Sequence, residues 1–403
     1  MSTKPKSVDV PQGFLFAAGE AGLRTHGSGP DVGLVYSVVP ARAAALFTAN
    51  RVKAAPVEVS QEHLQKARHI AQAIVVNAGN ANCATGAQGI RTARQCSAKA
   101  AELLRIPPEQ VLLASTGVIG VPMDAKHITS LLPALVRRIR SDNFAAVSKA
   151  ILTTDTRPKV VSRAISFSGR TVRILGMAKG AGMINPCLAT MLGFLFTDAA
   201  VDAGFLQAAA PRMGDLSFNR ISVDGDTSTN DTVFLMANGL AGNPPIAGNG
   251  IAAKKFLEAL TDVAQQLAIK IVTDGEGARK LVEIQVERAA TEVQATAIAR
   301  SIGLSSLVKT AMAGADPNWG RILSAAGNAK VEFNPMFADI YLNGVLVCRR
   351  GGAAEFNESA LQRKLRGKNI SVRMILREGT AQAAFWTCDL TEEYIRINAS
   401  YRT

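Results

Sequence analysis

Residues 187–196 have the sequence CLATMLGFLF, which is apolar over nearly its whole length. A run of this kind suits a strand that is buried on both faces of a sheet. Thr190 stands in the run directly behind the small Ala189, and the glycine-containing segment 179–182 (KGAG) precedes it. Because β-branched residues are common in strands, the local sequence alone favours a structural role for Thr190. A chemical role needs support from the rest of the chain.

The segments on either side of this strand alternate between strand and helix patterns. Strands are predicted at 31–39, 71–77, 111–115, 281–288, 338–342 and 371–376, and a hairpin at 160–166 and 171–177. Helices are predicted at 89–104, 129–152 and 252–268. Mixed elements over this length predict an α/β or α+β protein with more than one lobe.

Length and composition restrict the class of protein. A chain of 403 residues suits two or three domains, and 48% hydrophobic with 19% charged residues is ordinary for a folded soluble protein. No apolar run reaches the roughly 18 residues that span a bilayer. The beginning, MSTKPKSVDVPQGFLF, lacks the pattern of a signal or transit peptide. We therefore expect a cytoplasmic protein with no membrane partner.

The charge distribution and the cysteine and histidine content argue against a nucleic-acid-binding, disulfide-rich or metal-binding protein. The net charge is +13, but the basic residues form no continuous tract and only 5% of residues are aromatic, so no nucleic-acid partner is predicted. The overall positive field favours anionic small substrates. Five cysteines without a C-x-x-C pair and four scattered histidines predict neither a disulfide framework nor a metal site. We predict no cofactor.

A hydroxyl nucleophile would give Thr190 a chemical role. A threonine hydroxyl attacks poorly unless a base lies beside it. If the chain were cleaved before Thr190, the new α-amino group would supply that base, since its reference pKa is about 7.7–8.0. Ala189 leaves room for attack on the preceding carbonyl. Thr116 and Gly117, which follow a predicted strand, offer a hydroxyl and a backbone N–H that could stabilise an oxyanion.

Several longer segments match a known family in their order along the chain. They are FTANRVKAAPV (47–57), NAGNANCATG (77–86), ASTGVIG (114–120), LTTDTRPK (152–159), KGAGMI (179–184), ATML (189–192), DGDTSTNDT (224–232), GADPNWGRIL (314–323) and CDLTEEYIRINASYRT (388–403). With these segments the chain resembles the ornithine acetyltransferases, also called glutamate N-acetyltransferases of arginine biosynthesis. The match extends over essentially the whole length and is highly specific.

The resemblance implies a fold and a processing step. The fold is a layered αββα sandwich of the self-processing N-terminal-nucleophile-like type, with a smaller C-terminal α/β lobe at about 285–403. The precursor cleaves itself between Ala189 and Thr190. This yields an α chain, 1–189, and a β chain, 190–403, which pair into an α2β2 heterotetramer.

The resemblance also implies the reaction and its residues. Thr190 takes acetyl from N-acetylornithine, ornithine leaves, and glutamate accepts the acetyl by a ping-pong route. Thr116 and Gly117 form the oxyanion hole. Lys179 is suited to pair with a substrate carboxylate and Glu276 with the ornithine ammonium. The implied substrate-binding residues are Thr153 (with Thr154 as the adjacent alternative), Lys179, Thr190, Glu276, Asn398 and Thr403.

Some questions stay open at this point. The family usually has Ala-Pro-Asn-Met or Ala-Pro-Asp-Met before the scissile pair, whereas residues 185–188 are NPCL here. Because the Ala-Thr pair and the preceding Gly-Met-Ile are kept, we expect cleavage to occur, at a rate that these residues do not specify. The residues do not decide whether acetyl-CoA also serves as a donor. A related self-processing aminopeptidase or amidase and an uncleaved, catalytically silent binding protein are the alternatives.

Overall fold

The structure is a computed structural model that describes residues 8–24, 28–185 and 191–400. Two sheets organise these residues. The strands of the first sheet are β1 (Phe14–Gly19), β2 (Val32–Phe47), β3 (Ile70–Asn77), β4 (Val111–Ser115), β5 (Lys159–Phe167), β6 (Arg170–Lys179), β7 (Leu192–Thr197) and β9 (Thr232–Ala237). The strands of the second sheet are β8 (Ile221–Ser222), β10 (Leu281–Ala289), β11 (Asp339–Leu342), β12 (Val345–Arg349), β13 (Gly352–Ala353), β14 (Asn369–Ile375) and β15 (Ala381–Cys388).

Helices cover both sheets. The α-helices in the described residues are α1 (Ala55–Lys66), α2 (Gly86–Leu104), α3 (Lys126–Thr129), α4 (Leu132–Arg138), α5 (Phe144–Ala150), α6 (Ala203–Asp215), α7 (Ile251–Thr273), α8 (Glu292–Leu304), α9 (Ser306–Ala313), α10 (Trp319–Gly327), α11 (Glu358–Leu365) and α12 (Glu392–Ser400). Short 3-10 turns lie at Pro108–Gln110, Ser141–Asn143, Phe218–Arg220 and Pro335–Phe337. Among the described residues, no helix combines the length and apolar character that crossing a membrane requires.

The first sheet bends so that its two halves face each other. Its strands lie in the order β4-β3-β2-β9-β7-β6-β5, and β1 pairs with β2. The long strand β2 makes the bend, because its register with β3 shifts between Tyr36 and Ala41 while its second half pairs with β9. Phe14 and Phe16 from one half contact Phe196 from the other, with ring centroids 5.1 and 5.6 Å apart. These residues belong to an inner apolar layer that both halves of the sheet supply.

The outer face of each half carries helices. On the β1–β4 half, Val75 and Leu113 belong to a buried cluster with residues of α1, α2 and α4. On the β5, β6, β7 and β9 half, Ile174 and Leu235 belong to a cluster with residues of α6 and α7. The layers are therefore helix, sheet, sheet, helix, which confirms the predicted αββα sandwich.

The strand predicted from CLATMLGFLF is β7, and its six residues Leu192–Thr197 are all buried, as a strand covered on both faces requires. It pairs antiparallel with β6 and parallel with β9. Residues 187–190 of the predicted strand lie outside the described residues. The predicted hairpin is also confirmed as β5 and β6, with Ser168 and Gly169 at positive φ in the turn.

The single helix predicted at 129–152 is wrong. Three helices, α3, α4 and α5, and a 3-10 turn occupy this region. Pro133 stands in the first turn of α4, where a proline starts a helix readily but cannot continue one. Ile139 and Arg140 are then extended, and Arg140 exchanges backbone hydrogen bonds of 2.8 and 3.1 Å with Phe16. Pairing with β1 thus interrupts the helix, although the helical spacing of apolar residues continues through the segment.

The second sheet, with strand order β13-β12-β11-β14-β10-β15-β8, has its own core with α8, α9, α10 and α11. Strand β8 belongs to a segment of the sandwich, yet it pairs in parallel with β15 through Ile221 and Ser222. The two-residue strand therefore joins the smaller lobe to the sandwich. The chain after β15 continues into α12, which lies against the sandwich again.

Candidate active site

A cavity of about 220 Å³ lies where several loops of the sandwich meet helix α12. Polar and charged side chains supply much of its wall. The lining residues are Thr116, Gly117, Ile119, Thr153, Thr154, Lys179, Gly182, Met183, Asp224, Asp226, Ser228, Asn230, Glu276, Tyr394 and Asn398. All the sequence-predicted site residues that the structure describes are in this set, although they come from positions between 116 and 398.

Ala189, Thr190 and Thr403 lie outside the described residues. The first described residue after the predicted cleavage point is Met191, whose N–H donates to Asp231 Oδ1 at 2.9 Å. Asp231 is fully buried, and its Oδ2 has no hydrogen-bond partner among the described residues. Burial raises the pKa of Asp231 well above its ordinary value, against the opposing effects of the Met191 N–H and the Lys179 charge. The chain that follows the predicted cleavage point is thus hydrogen-bonded to the residue before β9.

Thr116 and Gly117 follow β4 directly. Gly117 has φ +133°, and a Cβ there would lie 2.3 Å from the carbonyl carbon of Gly79, so only glycine fits without displacement. Its N–H has no protein acceptor among the described residues. The Thr116 Oγ1 accepts a hydrogen bond from Lys179 Nζ at 3.3 Å. Among the described residues, neither the hydroxyl hydrogen of Thr116 nor the N–H of Gly117 has an acceptor, so both are candidate donors in the cavity wall.

Lys179 ends β6 with a side chain that is only 2% exposed. Its ammonium donates to Thr153 Oγ1 at 2.7 Å in addition to Thr116, and lies 3.8 Å from Asp155 Oδ2. Burial lowers the pKa of Lys179, and the negative charge of Asp155 opposes that shift. Lys179 thus links Thr116 to the 153–155 loop.

A buried ion network fixes that loop. Lys159 Nζ lies 2.6 Å from Asp155 Oδ1 and 2.6 Å from Asp274 Oδ2, and all three side chains are nearly inaccessible. The N–H of Gly180 donates to Asp155 Oδ1 at 2.7 Å. Burial by itself raises the pKa of Asp155, but Lys179 and Lys159 outweigh it and lower that pKa to about 2. Asp155 is consequently anionic and holds Lys179 in place.

Glu276 lies at another part of the wall, in the turn after α7. Its N–H donates to the carbonyl of Ala181 at 2.8 Å, and its Oε2 accepts from Asn398 Nδ2 at 2.8 Å. Gly182 makes room for the carboxylate, because a Cβ there would lie 2.4 Å from Glu276 Oε2. The KGAG segment before β7 therefore serves to let Glu276 approach the cavity.

Asp224 and Tyr394 also line the cavity, and sequence reasoning gave neither of them a role. The Asp224 carboxylate accepts from the N–H groups of Met183 at 2.5 Å and Ile184 at 2.8 Å. The Tyr394 hydroxyl donates to Asp224 Oδ2 at 3.3 Å. Burial raises the pKa of Asp224. The available signal was the acidic start of the matching segment 224–232, but its contact with the C-terminal helix is visible only in the structure.

The model of the ArgJ family matches residues 15–403, which is nearly the whole chain. The chain belongs to the ArgJ family. It is 45% identical over 397 residues to the arginine biosynthesis bifunctional protein ArgJ of Symbiobacterium thermophilum, with 98% of each chain covered. It is 45% identical to the ArgJ protein of Dehalococcoides mccartyi, covering 98% of this chain and 97% of that one. The ArgJ crystal structure from Bacillus halodurans is 41% identical and aligns with a TM-score of 0.51, over 53% of this chain and all of that one.

Proposed function

We propose that the cavity transfers acetyl from N-acetylornithine to glutamate through an acetyl-Thr190 intermediate. As a member of the ArgJ family, the chain is an acyltransferase of arginine biosynthesis with the glutamate N-acetyltransferase role. One observation supports the site assignment: the same cavity is lined by Thr116 and Gly117, whose O–H and N–H have no acceptor among the described residues, and by the Glu276 carboxylate. Family membership does not favour the aminopeptidase alternative.

Self-cleavage prepares the nucleophile. The Thr190 hydroxyl adds to the Ala189 carbonyl, its proton passes to the Thr190 nitrogen, and the C–N bond breaks to leave an ester. Water then hydrolyses the ester, which yields the Ala189 carboxylate and the free α-amino group of Thr190. The anchoring of Met191 by Asp231 supports this assignment, because it restrains the chain on the far side of the bond that breaks.

Acetyl transfer begins with N-acetylornithine. The Thr190 α-amino group takes the hydroxyl proton as the oxygen attacks the acetyl carbonyl. Thr116 and Gly117 donate to the resulting oxyanion, and the hydrogen bond from Lys179 makes the Thr116 hydroxyl a stronger donor. The tetrahedral species collapses when the C–N bond breaks, and the leaving ornithine amine takes the proton.

Glutamate completes the cycle by the reverse chemistry. Its α-amine attacks the acetyl ester, the same donors hold the oxyanion, and the Thr190 oxygen leaves with a proton. We assign substrate contacts to Thr153, Lys179, Glu276, Asn398 and Thr403. Lys179 supplies positive charge for a substrate carboxylate and Glu276 negative charge for the ornithine ammonium.

The proposal also includes the oligomeric state of the protein and its cellular compartment. We propose an α2β2 heterotetramer of the fragments 1–189 and 190–403, which sedimentation of the processed protein would measure. The cysteines in the described part of the chain, Cys83, Cys96, Cys348 and Cys388, are buried free thiols. Free thiols suit the reducing cytoplasm, which we propose as the compartment.

The decisive experiment compares acceptors and donors with purified protein. With N-acetylornithine as donor, we expect N-acetylglutamate and ornithine in equal amounts, and little free acetate. Acetate release without transfer would instead identify an aminopeptidase or amidase. Repeating the assay with acetyl-CoA decides whether this chain also uses that donor.

A further inference from the structure

The proposed function requires one cavity to bind two substrates whose side chains have opposite charges. The donor carries a positive side-chain ammonium and the acceptor, glutamate, a negative side-chain carboxylate. In a ping-pong reaction both substrates present their α-nitrogen to the same Thr190, so both side chains extend into the same cavity. The described lining contributes three carboxylates, from Asp224, Asp226 and Glu276, and one ammonium, from Lys179. The ammonium of ornithine is therefore easily matched, and the carboxylate of glutamate needs a donor near these acids.

Helix α12 brings neutral donors to two of these acids. Tyr394 and Asn398 are four residues apart, so they share one face of the helix. Asn398 Nδ2 donates to Glu276 Oε2 at 2.8 Å and to the Tyr394 carbonyl at 3.0 Å. Both of these bonds have ordinary lengths, so the N–H groups of the Asn398 amide are already engaged. The start of the helix is pressed onto the turn that carries Glu276, since a Cβ at Gly277 would lie 2.5 Å from the Tyr394 nitrogen.

The Tyr394 hydroxyl is held less tightly. It lies 3.3 Å from Asp224 Oδ2, which is longer than the roughly 2.7–2.8 Å of a usual O–H···O bond. Asp224 does not depend on it, because the carboxylate also accepts from the backbone N–H groups of Met183, Ile184 and Asp226. Burial, with the nearby Asp224 charge, raises the pKa of Tyr394, which keeps the phenol protonated as a donor. The hydroxyl can thus leave Asp224 without stranding a buried charge.

We propose that Tyr394 determines specificity for the acceptor substrate. When glutamate binds, the Tyr394 hydroxyl turns from Asp224 to the side-chain carboxylate of glutamate. When N-acetylornithine is bound, the hydroxyl stays on Asp224, and the carboxylates receive the ammonium. One phenol thereby lets the same end of the cavity accept side chains of opposite charge. This inference rests on the proposed function and deepens it.

The test replaces Tyr394 by phenylalanine, which keeps the ring and removes only the donor. The ornithine half-reaction is measured alone by exchange of labelled ornithine into N-acetylornithine. The glutamate half-reaction is measured by transfer to glutamate and to glutamine, whose neutral side chain has nearly the same shape. Tyr341→Phe is the matched control, because Tyr341 lies on β11 in the second lobe, away from the cavity.

We expect Tyr394→Phe to lower the preference for glutamate over glutamine in kcat/KM about tenfold, as for loss of a hydrogen bond to a charged group. Exchange should fall much less than transfer to glutamate, and Tyr341→Phe should change neither. An unchanged glutamate-to-glutamine ratio, or an equal fall in exchange and transfer, overturns the role of Tyr394. Absence of exchange in the unmodified enzyme would instead overturn the proposed function, and this inference with it.

Discussion

At the scale of single residues, the site depends on charges that are buried together. Lys179 and Asp155 are almost inaccessible, and neither would be stable alone in a medium of low polarity. Their mutual attraction offsets the lost hydration, and Lys159 adds a second attraction for Asp155. The arrangement holds the Lys179 ammonium against Thr116 and Thr153, where the proposed chemistry needs it.

The pH dependence of the stability of an Asp155→Asn variant tests whether these charges stabilise the folded state. The pKa of Asp155 is about 2 in the folded state, below the ordinary 3.8. Such a carboxylate stabilises the folded state fully above pH 4, and its contribution is lost as the pH falls through about 2. We expect the free energy of unfolding of the variant to be about 2 kcal/mol lower than that of the unmodified protein at pH 7. This difference should shrink between pH 4 and pH 2. Urea unfolding at several pH values measures it, and a pH-independent difference would contradict the electrostatic explanation.

Thr190→Ala tests the nucleophile. Without the hydroxyl, neither attack on Ala189 nor acetyl transfer can begin, so we expect both to be lost. A denaturing gel should then show one band near 42.4 kDa in place of two fragments. Thr190→Ser, which keeps a hydroxyl, should retain measurable processing. Cleavage that continues in the alanine variant would remove Thr190 from this role.

At the scale of elements, two parallel strands position Thr116 and Gly117, the proposed oxyanion donors. Because β3 and β4 run in the same direction, with Asn77 opposite Ser115, their following loops leave the same sheet edge. The two loops then pair, and the N–H of Val118 donates to the carbonyl of Gly79 at 3.2 Å. Gly117 lies in the cavity wall at this close approach, which leaves no room for a side chain between the two loops.

Gly117→Ala therefore should disturb transfer far more than folding. Its Cβ would press on the Gly79 carbonyl carbon at 2.3 Å and displace the N–H donor. We expect kcat to fall about 10²- to 10³-fold, as for loss of one oxyanion donor, with a smaller change in KM. Gly120→Ala is the matched control, since it also has positive φ, +80°, but no atom lies within 4 Å of its Cβ position. Equal losses in the two variants would mean that backbone strain alone is responsible.

At the scale of the whole molecule, the two proposed fragments are interleaved in one sheet. The order β4-β3-β2-β9-β7-β6-β5 places β9 and β7, from the second fragment, between β2 and β6, from the first. Strand β7 pairs along its full length with β6. Strand β9 likewise pairs with β2 from Arg42 to Phe47. Cleavage at Ala189 would therefore cut one connection and leave the hydrogen-bonded sheet continuous.

We accordingly expect the processed fragments to stay together without any covalent link. They should co-elute in gel filtration under native conditions and separate only in denaturant. Separate expression of 1–189 and 190–403 should give poorly folded products, because each fragment lacks the strands between which its own must pair. Independent folding of either fragment alone would contradict the interleaved arrangement.

Much of the fold follows from local sequence patterns. Continuous apolar runs and short turns predict β7 and the hairpin of β5 and β6, because burial and turn chemistry act over neighbouring residues. The predicted helix at 129–152 failed because pairing of Arg140 with β1 is a contact between distant segments. Periodicity within a segment contains no information about such a partner.

At the site, too, some features follow from the sequence and others depend on contacts between distant segments. The sequence by itself determined the family and the reaction class, and it predicted the residue types for an oxyanion, a cation and an anion, since these are properties of matched segments and side-chain chemistry. Only the tertiary structure placed Tyr394 against Asp224 and buried Lys179 beside Asp155. The physical reason is that burial and hydrogen-bond geometry, which set charge and donor availability, arise from segments that meet only when the chain folds.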